Sequence, residues 1–271
     1  MTAISAKLVM ELRDATNLPM MKCKQALEAN AGDKTAAIDW LRKQGMAAAG
    51  GKFADRETPN GACSMALAAD AGVIIQLGCQ TDFVGGNESF KAFAQELADL
   101  ALATKADSVD ALKAHKLGAL TIDEALAEKI NQMGEKIILV KVLRQTGAVV
   151  TGYNHGGKIA TLVAGSGDAL KLRQVALHVA SSSPAPLALT KDQVDATVVE
   201  KEREILLATP DVQAKPEAMR SKIVDGKLGR FFKENVLLEQ EMLLDNEKGE
   251  TVEKYAKRNA ITVTGFVRTA V

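Results

Sequence analysis

Apolar residues recur at helical spacing from the start of the chain. Ile4, Leu8, Val9 and Leu12 share one face of a first helix, and Thr16-Asn17 with Pro19 stops and restarts the chain. Pro19 to Leu27 reads as a second helix that ends at Asn30-Ala31-Gly32. Asp33 can cap a third, which carries Ala37, Ile38 and Leu41. Short helices with loops this tight predict a compact bundle, close to the lower size limit for independent stability. Gly50-Gly51 and Thr58-Pro59-Asn60-Gly61 then bracket a polar linker.

Beyond the linker the period changes. Cys63, Met65 and Leu67 alternate with Ser64, Ala66 and Ala68; after Asp70-Ala71-Gly72, the residues Val73, Ile75, Leu77 and Cys79 alternate again, which predicts a β-hairpin. A helix follows from about Asn87, with Phe90, Phe93, Leu97 and Leu100 on one side. Further helix is expected around Val109 to Lys113 and Ile122 to Met133, then a buried strand over Ile137 to Val142. Ala148 to Tyr153, the turn Asn154-His155-Gly156-Gly157 and Ile159 to Ala164 predict a second hairpin, followed by a helix over Asp168 to Ala180. Hairpin-then-helix thus occurs twice and reads as a weak repeat of two α+β units. Ser181 to Pro186 breaks the chain. Lys191 to Ala208 then reads as a helix with Val194, Val198 and Ile205 facing inward. Pro210 to Pro216 turns the chain, and Ala218 to Phe232 carries Met219, Ile223, Leu228 and Phe231, which completes an antiparallel helical hairpin. A last helix over Thr251 to Asn259 leads into the alternating strand Ile261, Val263, Gly265, Val267, expected to return to the second unit's sheet.

Composition narrows the function. The 271 residues suggest roughly two domains. Hydrophobic residues at 47% and charged residues at 25% argue against wholesale disorder, and the 4% of aromatics favours helices with small cores over a large β-sandwich. Lys+Arg and Asp+Glu both number 34, and one Trp and two Tyr are present. A neutral chain with so few rings lacks the basic field and stacking platforms of a general nucleic-acid binder, and lacks the field that would steer it onto an anionic membrane. Cys23, Cys63 and Cys79 form no C-x-x-C pair, which points to a reducing compartment. Met1 to Leu12 has no apolar signal-peptide core and no run of 18 apolar residues exists, so a cytoplasmic protein is expected.

Chemistry is sparse. No G-x-x-x-x-G-K-S/T phosphate loop is present, and Gly165-Ser166-Gly167 is too short for a nucleophile elbow. His115, His155 and His178 have no Cys or carboxylate at metal-ligand spacing. The residues read as an interaction protein and not an enzyme, with no catalytic residue, metal or cofactor expected. One segment stands apart. Strand Val73–Cys79 runs into Gln80-Thr81-Asp82-Phe83-Val84, then Gly85-Gly86-Asn87 and a helix. Either Asp82 caps something local and Phe83 anchors the core, or the pair forms a rigid protrusion that inserts a ring and a charge into a partner. Met20-Met21 carries the same choice between core filler and outward contact, since adjacent methionines cannot share one helical face.

These motifs resemble those of bacterial translation elongation factor Ts. The matching stretches are Leu12-Arg13 through Thr16, Met20-Met21-Lys22-Cys23-Lys24-Gln25-Ala26-Leu27, Cys79-Gln80-Thr81-Asp82-Phe83-Val84 and Gly152-Tyr153-Asn154-His155-Gly156-Gly157-Lys158-Ile159. Ala176-Leu177-His178-Val179-Ala180, Val199-Glu200-Lys201-Glu202, Asp225-Gly226-Lys227, Phe231-Phe232 and Thr264-Gly265-Phe266-Val267-Arg268 follow in order, so the likeness covers nearly the whole chain. The resemblance implies an α+β protein: a UBA-like N-terminal domain (1–54), core subdomains over 55–145 and over 146–186 with 236–271, and a protruding coiled-coil hairpin (187–235). It implies guanine-nucleotide exchange on elongation factor Tu, with GDP-bound and nucleotide-free forms as partners, no direct nucleic acid and no membrane; dimerisation stays open. By similarity Arg13, Met20 and Met21 contact the partner's G domain, while Thr81, Asp82, Phe83 and Val84 intrude near its Mg²⁺ site. His178, Leu243 and Leu244 fall on contacts of the core, the last two in a stretch, Glu241 to Asn246, that departs from the family pattern. Gln76, Gly78 and Pro19 also depart from it. Some family members continue beyond the position of Val271 into a further helical module that touches the partner, so affinity is expected to lean on the N-terminal domain. The competing reading is a binding-only chaperone or adaptor of a GTPase, which needs the bundle but not the tip.

Overall fold

The computed structural model describes residues 4–16, 18–51, 53 and 55–271. Asn17, part of the expected first break, and Lys52 and Ala54 of the linker lie outside the described residues. Helices α1 (Ala6–Thr16), α2 (Met20–Ala29) and α3 (Lys34–Gly50) form the expected bundle. Leu12, Cys23, Ala26, Leu27, Ala37 and Leu41 close its core. Ala31 and Gly32 turn the chain between α2 and α3 at φ of 53° and 87°, and the Asp33 carboxylate caps α3 by accepting from the Ala36 N–H at 3.0 Å.

The first α+β unit runs β1 (Asn60–Leu67), β2 (Ala71–Cys79), α4 (Asp82–Gly86), α5 (Glu88–Thr104), α6 (Val109–Lys113), a small ribbon of β3 (Lys116–Leu117) and β4 (Leu120–Thr121), α7 (Ile122–Met133) and β5 (Ile137–Thr146). Its sheet is antiparallel in the order β1-β2-β5. The second unit has β6 (Val149–His155), β7 (Ile159–Ser166) and α8 (Ala169–Ser181), then recovers α12 (Val252–Arg258) and β8 (Thr262–Ala270) at the far end of the chain. The order β6-β7-β8 is again antiparallel, and the last strand does return to this sheet.

The two sheets pack face to face. Cys63, Ile74, Ala160 and Leu162 fill the space between them. The outer face of the first sheet, with Val73, Ile75 and Leu77, is covered by Phe90, Phe93 and Leu97 of α5. Val163 of the second sheet meets Leu172, Val175 and Val179 of α8. The result is a helix–sheet–sheet–helix stack. Every residue of β2 is therefore buried, including Gln76, whose amide donates to the Ala270 carbonyl at 3.2 Å and whose oxygen accepts from the Thr269 hydroxyl.

Between the two halves of the second unit stands the helical hairpin, α9 (Ala196–Ala208), α10 (Pro210–Gln213) and α11 (Glu217–Asn235). The expected inward set needs correction. Val194 is buried, but it lies before the helix; Val198 and Ile205 are exposed. The residues that zip the hairpin are Val199, Leu206 and Leu207 against Val212, Val224 and Leu228. The helix starts only at Ala196, after a 3-10 turn and an Asp195 cap, so a periodicity counted from Val194 is displaced by one residue.

Candidate partner interface

The segment after β2 makes a sharp corner. The Thr81 hydroxyl caps α4 by accepting from the Val84 N–H at 3.3 Å, and Asn87 then caps α5 with bonds from Ser89 and Phe90. Glu135 braces the corner from outside. Its carboxylate accepts from the Thr81 N–H at 3.0 Å and from the Thr81 hydroxyl at 2.7 Å. Hydrogen bonds to a charged group are each worth about 1.5–3 kcal/mol in partly buried settings. Val84 and Gly85 pack inward, and a Cβ on Gly85 would sit 2.9 Å from the Gly61 carbonyl oxygen. Backbone contact this close needs glycine.

On this corner Asp82 and Phe83 point away from the packed side. Asp82 is exposed, and the Phe83 ring is 87% exposed. Thr81 and Asn87 do the capping, so the reading in which Asp82 caps and Phe83 anchors the core is overturned. A ring left almost wholly in water on a braced corner is costly surface to display.

The bundle presents a second apolar feature. Met20 and Met21 open α2 and are 49% and 65% exposed, so neither is core filler. Arg13 lies exposed in the last turn of α1. The bundle is not held by the linker alone. Asn131 of α7 donates to the Leu41 carbonyl at 2.6 Å, Gln132 donates to the Thr16 carbonyl at 3.2 Å, and Arg42 meets Glu128 at 3.1 Å.

The third group sits on the second unit. His178 is only 1% exposed, so in the free chain its ring offers almost no surface of its own. Its Nδ1 accepts from the Leu243 N–H at 3.3 Å, which leaves Nε2 protonated to donate to Gln240 Oε1 at 2.9 Å. Burial pushes its pKa below the ordinary value, only partly offset by Gln240, so the ring is held neutral. Its work is to hold the backbone of Leu243, which with Leu244 is exposed on a loop. That loop is stapled by Lys171 to Asp245 at 2.7 Å and by the Arg258 fork on the buried Glu250 at 2.8 and 2.9 Å. Sequence reasoning missed Glu135, Asn131 and Gln240; for Asn131 the available signal was Gly45 inside α3, a mark of close approach.

Among the described residues no group of His, Cys, Asp and Glu could hold a metal ion. No helix among them is long and apolar enough to cross a membrane. The Cys63 and Cys79 thiols are pushed up to about 11, chiefly by burial, and are poor nucleophiles. The exposed features are Phe83 on its corner, Met20 and Met21 on the bundle, and Leu243 and Leu244 on the second unit. The family described as Elongation factor TS matches residues 80–271. The chain is 40% identical to elongation factor Ts of Nitrobacter hamburgensis, with 100% of this chain and 92% of the relative covered. It is 38% identical to that of Hydrogenovibrio crunogenus over 98% of this chain and 90% of the relative, and 36% identical to that of Chlorobium phaeobacteroides over 99% and 98%. With its tip, bundle and split second sheet all inside that near-complete likeness, the chain belongs to the elongation factor Ts family.

Proposed function

We propose that the chain is a cytoplasmic guanine-nucleotide exchange factor for elongation factor Tu, with Phe83 as the wedge that opens the nucleotide site. The observation that carries this reading is the exposed Phe83 ring on a corner braced by Glu135. An exchange factor makes no bonds. It binds the nucleotide-free partner more tightly than the GDP-bound one, and by linkage it weakens GDP by the same factor. Mg²⁺ and phosphate coordination is charge-rich and sensitive to geometry, so a ring forced between packed side chains near it raises the free energy of the GDP-bound state. Each 1.4 kcal/mol of such strain is about tenfold in affinity.

In this reading Thr81 and Val84 hold the tip, and Asp82 adds charge beside the partner's Mg²⁺–phosphate site. Arg13, Met20 and Met21 bind the partner from the bundle (1–54), and Leu243 and Leu244, set by His178, bind from the second subdomain. The test is release of a labelled GDP from elongation factor Tu. Acceleration by the chain at substoichiometric amounts supports exchange. Tight binding with no acceleration leaves a binding-only adaptor.

A further inference from the structure

The bundle and the tip are fastened to one short stretch of chain, the end of α7 and the turn after it. On one side, Asn131 Nδ2 donates to the Leu41 carbonyl at 2.6 Å, Lys22 Nζ donates to the Asn131 carbonyl at 2.9 Å, and Gln132 Nε2 donates to the Thr16 carbonyl at 3.2 Å. Thr16 ends the helix that bears Arg13, and Lys22 directly follows Met20-Met21. On the other side, Glu135 grips Thr81 by both its N–H and its hydroxyl, two residues before Phe83. Helix α3 approaches α7 so closely that a Cβ on Gly45 would lie 2.5 Å from Asn131 Nδ2 and 2.6 Å from the Ala127 carbonyl oxygen. Yet the contact is not densely filled: a cleft of about 340 Å³ opens between Leu18 and Leu41 of the bundle and Glu128 and Gln132 of α7. The directional bonds at Asn131 and the close backbone approach at Gly45 together set the angle of the bundle.

We infer that Asn131 to Glu135 are positioning residues. They hold the Arg13–Met20–Met21 face at a fixed distance and orientation from Phe83, so that both sites meet a GTPase partner as one preorganised two-point grip. The inference rests on the exchange reading only for the identity of that partner. Two linked contacts gain from each other through effective concentration, which is highest when the link matches the span between the sites. A rigid link also avoids ordering costs at binding. Loosening Asn131 should therefore weaken the grip without altering what the wedge does once seated. Loosening Glu135 should blunt the wedge itself.

The experiment uses the full chain. Spin labels go on Gln25→Cys, exposed on α2, and Gly86→Cys, where an added side chain meets nothing within 4 Å; the native Cys23, Cys63 and Cys79 are all buried. Pulsed dipolar spectroscopy should give one narrow distance distribution, broadened by Asn131→Ala and separately by Gly45→Ala, which pushes the helices apart. A broad distribution with the junction intact, or a narrow one in both variants, overturns the inference. In a second arm, Asn131→Ala should raise the half-saturating concentration for release of fluorescent GDP from elongation factor Tu by about tenfold and keep the plateau rate, while Glu135→Gln should lower the plateau. A lowered plateau with unchanged half-saturation in Asn131→Ala also overturns it. If the unmodified chain fails to accelerate release, the exchange reading falls, and the distance measurement still decides the junction.

Discussion

Replacing Phe83 by alanine tests the wedge with little collateral damage. In the free chain the ring is 87% exposed, so truncation removes almost no internal contact. Folding stability should move by less than about 0.5 kcal/mol, and the melting temperature by less than about 2 °C for a chain of this size. In a complex, the ring has nearly its whole surface left to bury. Full burial of a phenylalanine is worth about 2 kcal/mol, which is about 30-fold in an equilibrium or rate constant. A wedge spends that energy on the nucleotide-free state, so the loss should appear in two places at once. The maximal rate of GDP release at saturating factor should fall by tenfold or more, and affinity for nucleotide-free elongation factor Tu should fall in parallel. Affinity for the GDP-bound partner should change much less. Stopped-flow release of a fluorescent GDP analogue, titrated with factor until the rate is flat, separates these quantities. If Phe83→Ala reaches the original plateau and merely needs more protein to do so, the ring is an anchor and the wedge argument is refuted.

Three other outcomes follow from the same geometry. Met20→Ala with Met21→Ala removes two exposed side chains from the bundle, and calorimetric titration should show binding weakened by about 1–3 kcal/mol with release near normal at saturation; unchanged affinity with a folded bundle refutes their role. Replacing residues 203–227 of the hairpin by a short Gly-Ser loop removes a self-contained apolar zipper and should leave GDP release largely intact; a loss as deep as that of Phe83→Ala would show that the hairpin takes part. Burial lowers the His178 pKa from its ordinary value of 6.5, so the neutral ring stabilises the fold fully above that pH, and the contribution is lost as pH falls below it toward the folded value. Melting temperature should therefore drop more steeply between pH about 7 and about 5 in the unmodified chain than in His178→Gln, and equal slopes would refute the assignment.

Local pattern carried the elements because local chemistry makes them. Alternation at Val73, Ile75 and Leu77 predicts a strand, and Asp33 predicts the start of α3; both hold. What the pattern could not reveal is what covers the other face. Gln76 departs from the family pattern, and it is buried with its amide satisfied by Thr269 and Ala270, far along the chain. The same limit applies to the site. The sequence places Asp82 and Phe83 at a strand-to-helix corner, but it does not show that Glu135, in the turn between α7 and β5, braces that corner through Thr81. His178 carries a motif without showing that its role is to hold Leu243 from inside. The hairpin register slipped for a local reason, the late start of α9, which no apolar period reports.

The return of β8 to the second sheet has a consequence for the order in which the ribosome's product can mature. Ile159 of β7 pairs with Ala270 of β8, so the partner strand is synthesised long after the strand it completes. The first sheet needs only chain up to Thr146, and the hairpin needs only its own neighbours. Until β8 arrives, β7 has an open edge and Gln76 lacks its partners, so a nascent chain carries a finished half beside an uncovered one. Non-local pairing of this kind is slow to form and leaves apolar strands exposed meanwhile. A protein of the elongation factor Ts family thus passes, during its own synthesis, through a state in which one sheet is paired and the other still waits for its third strand.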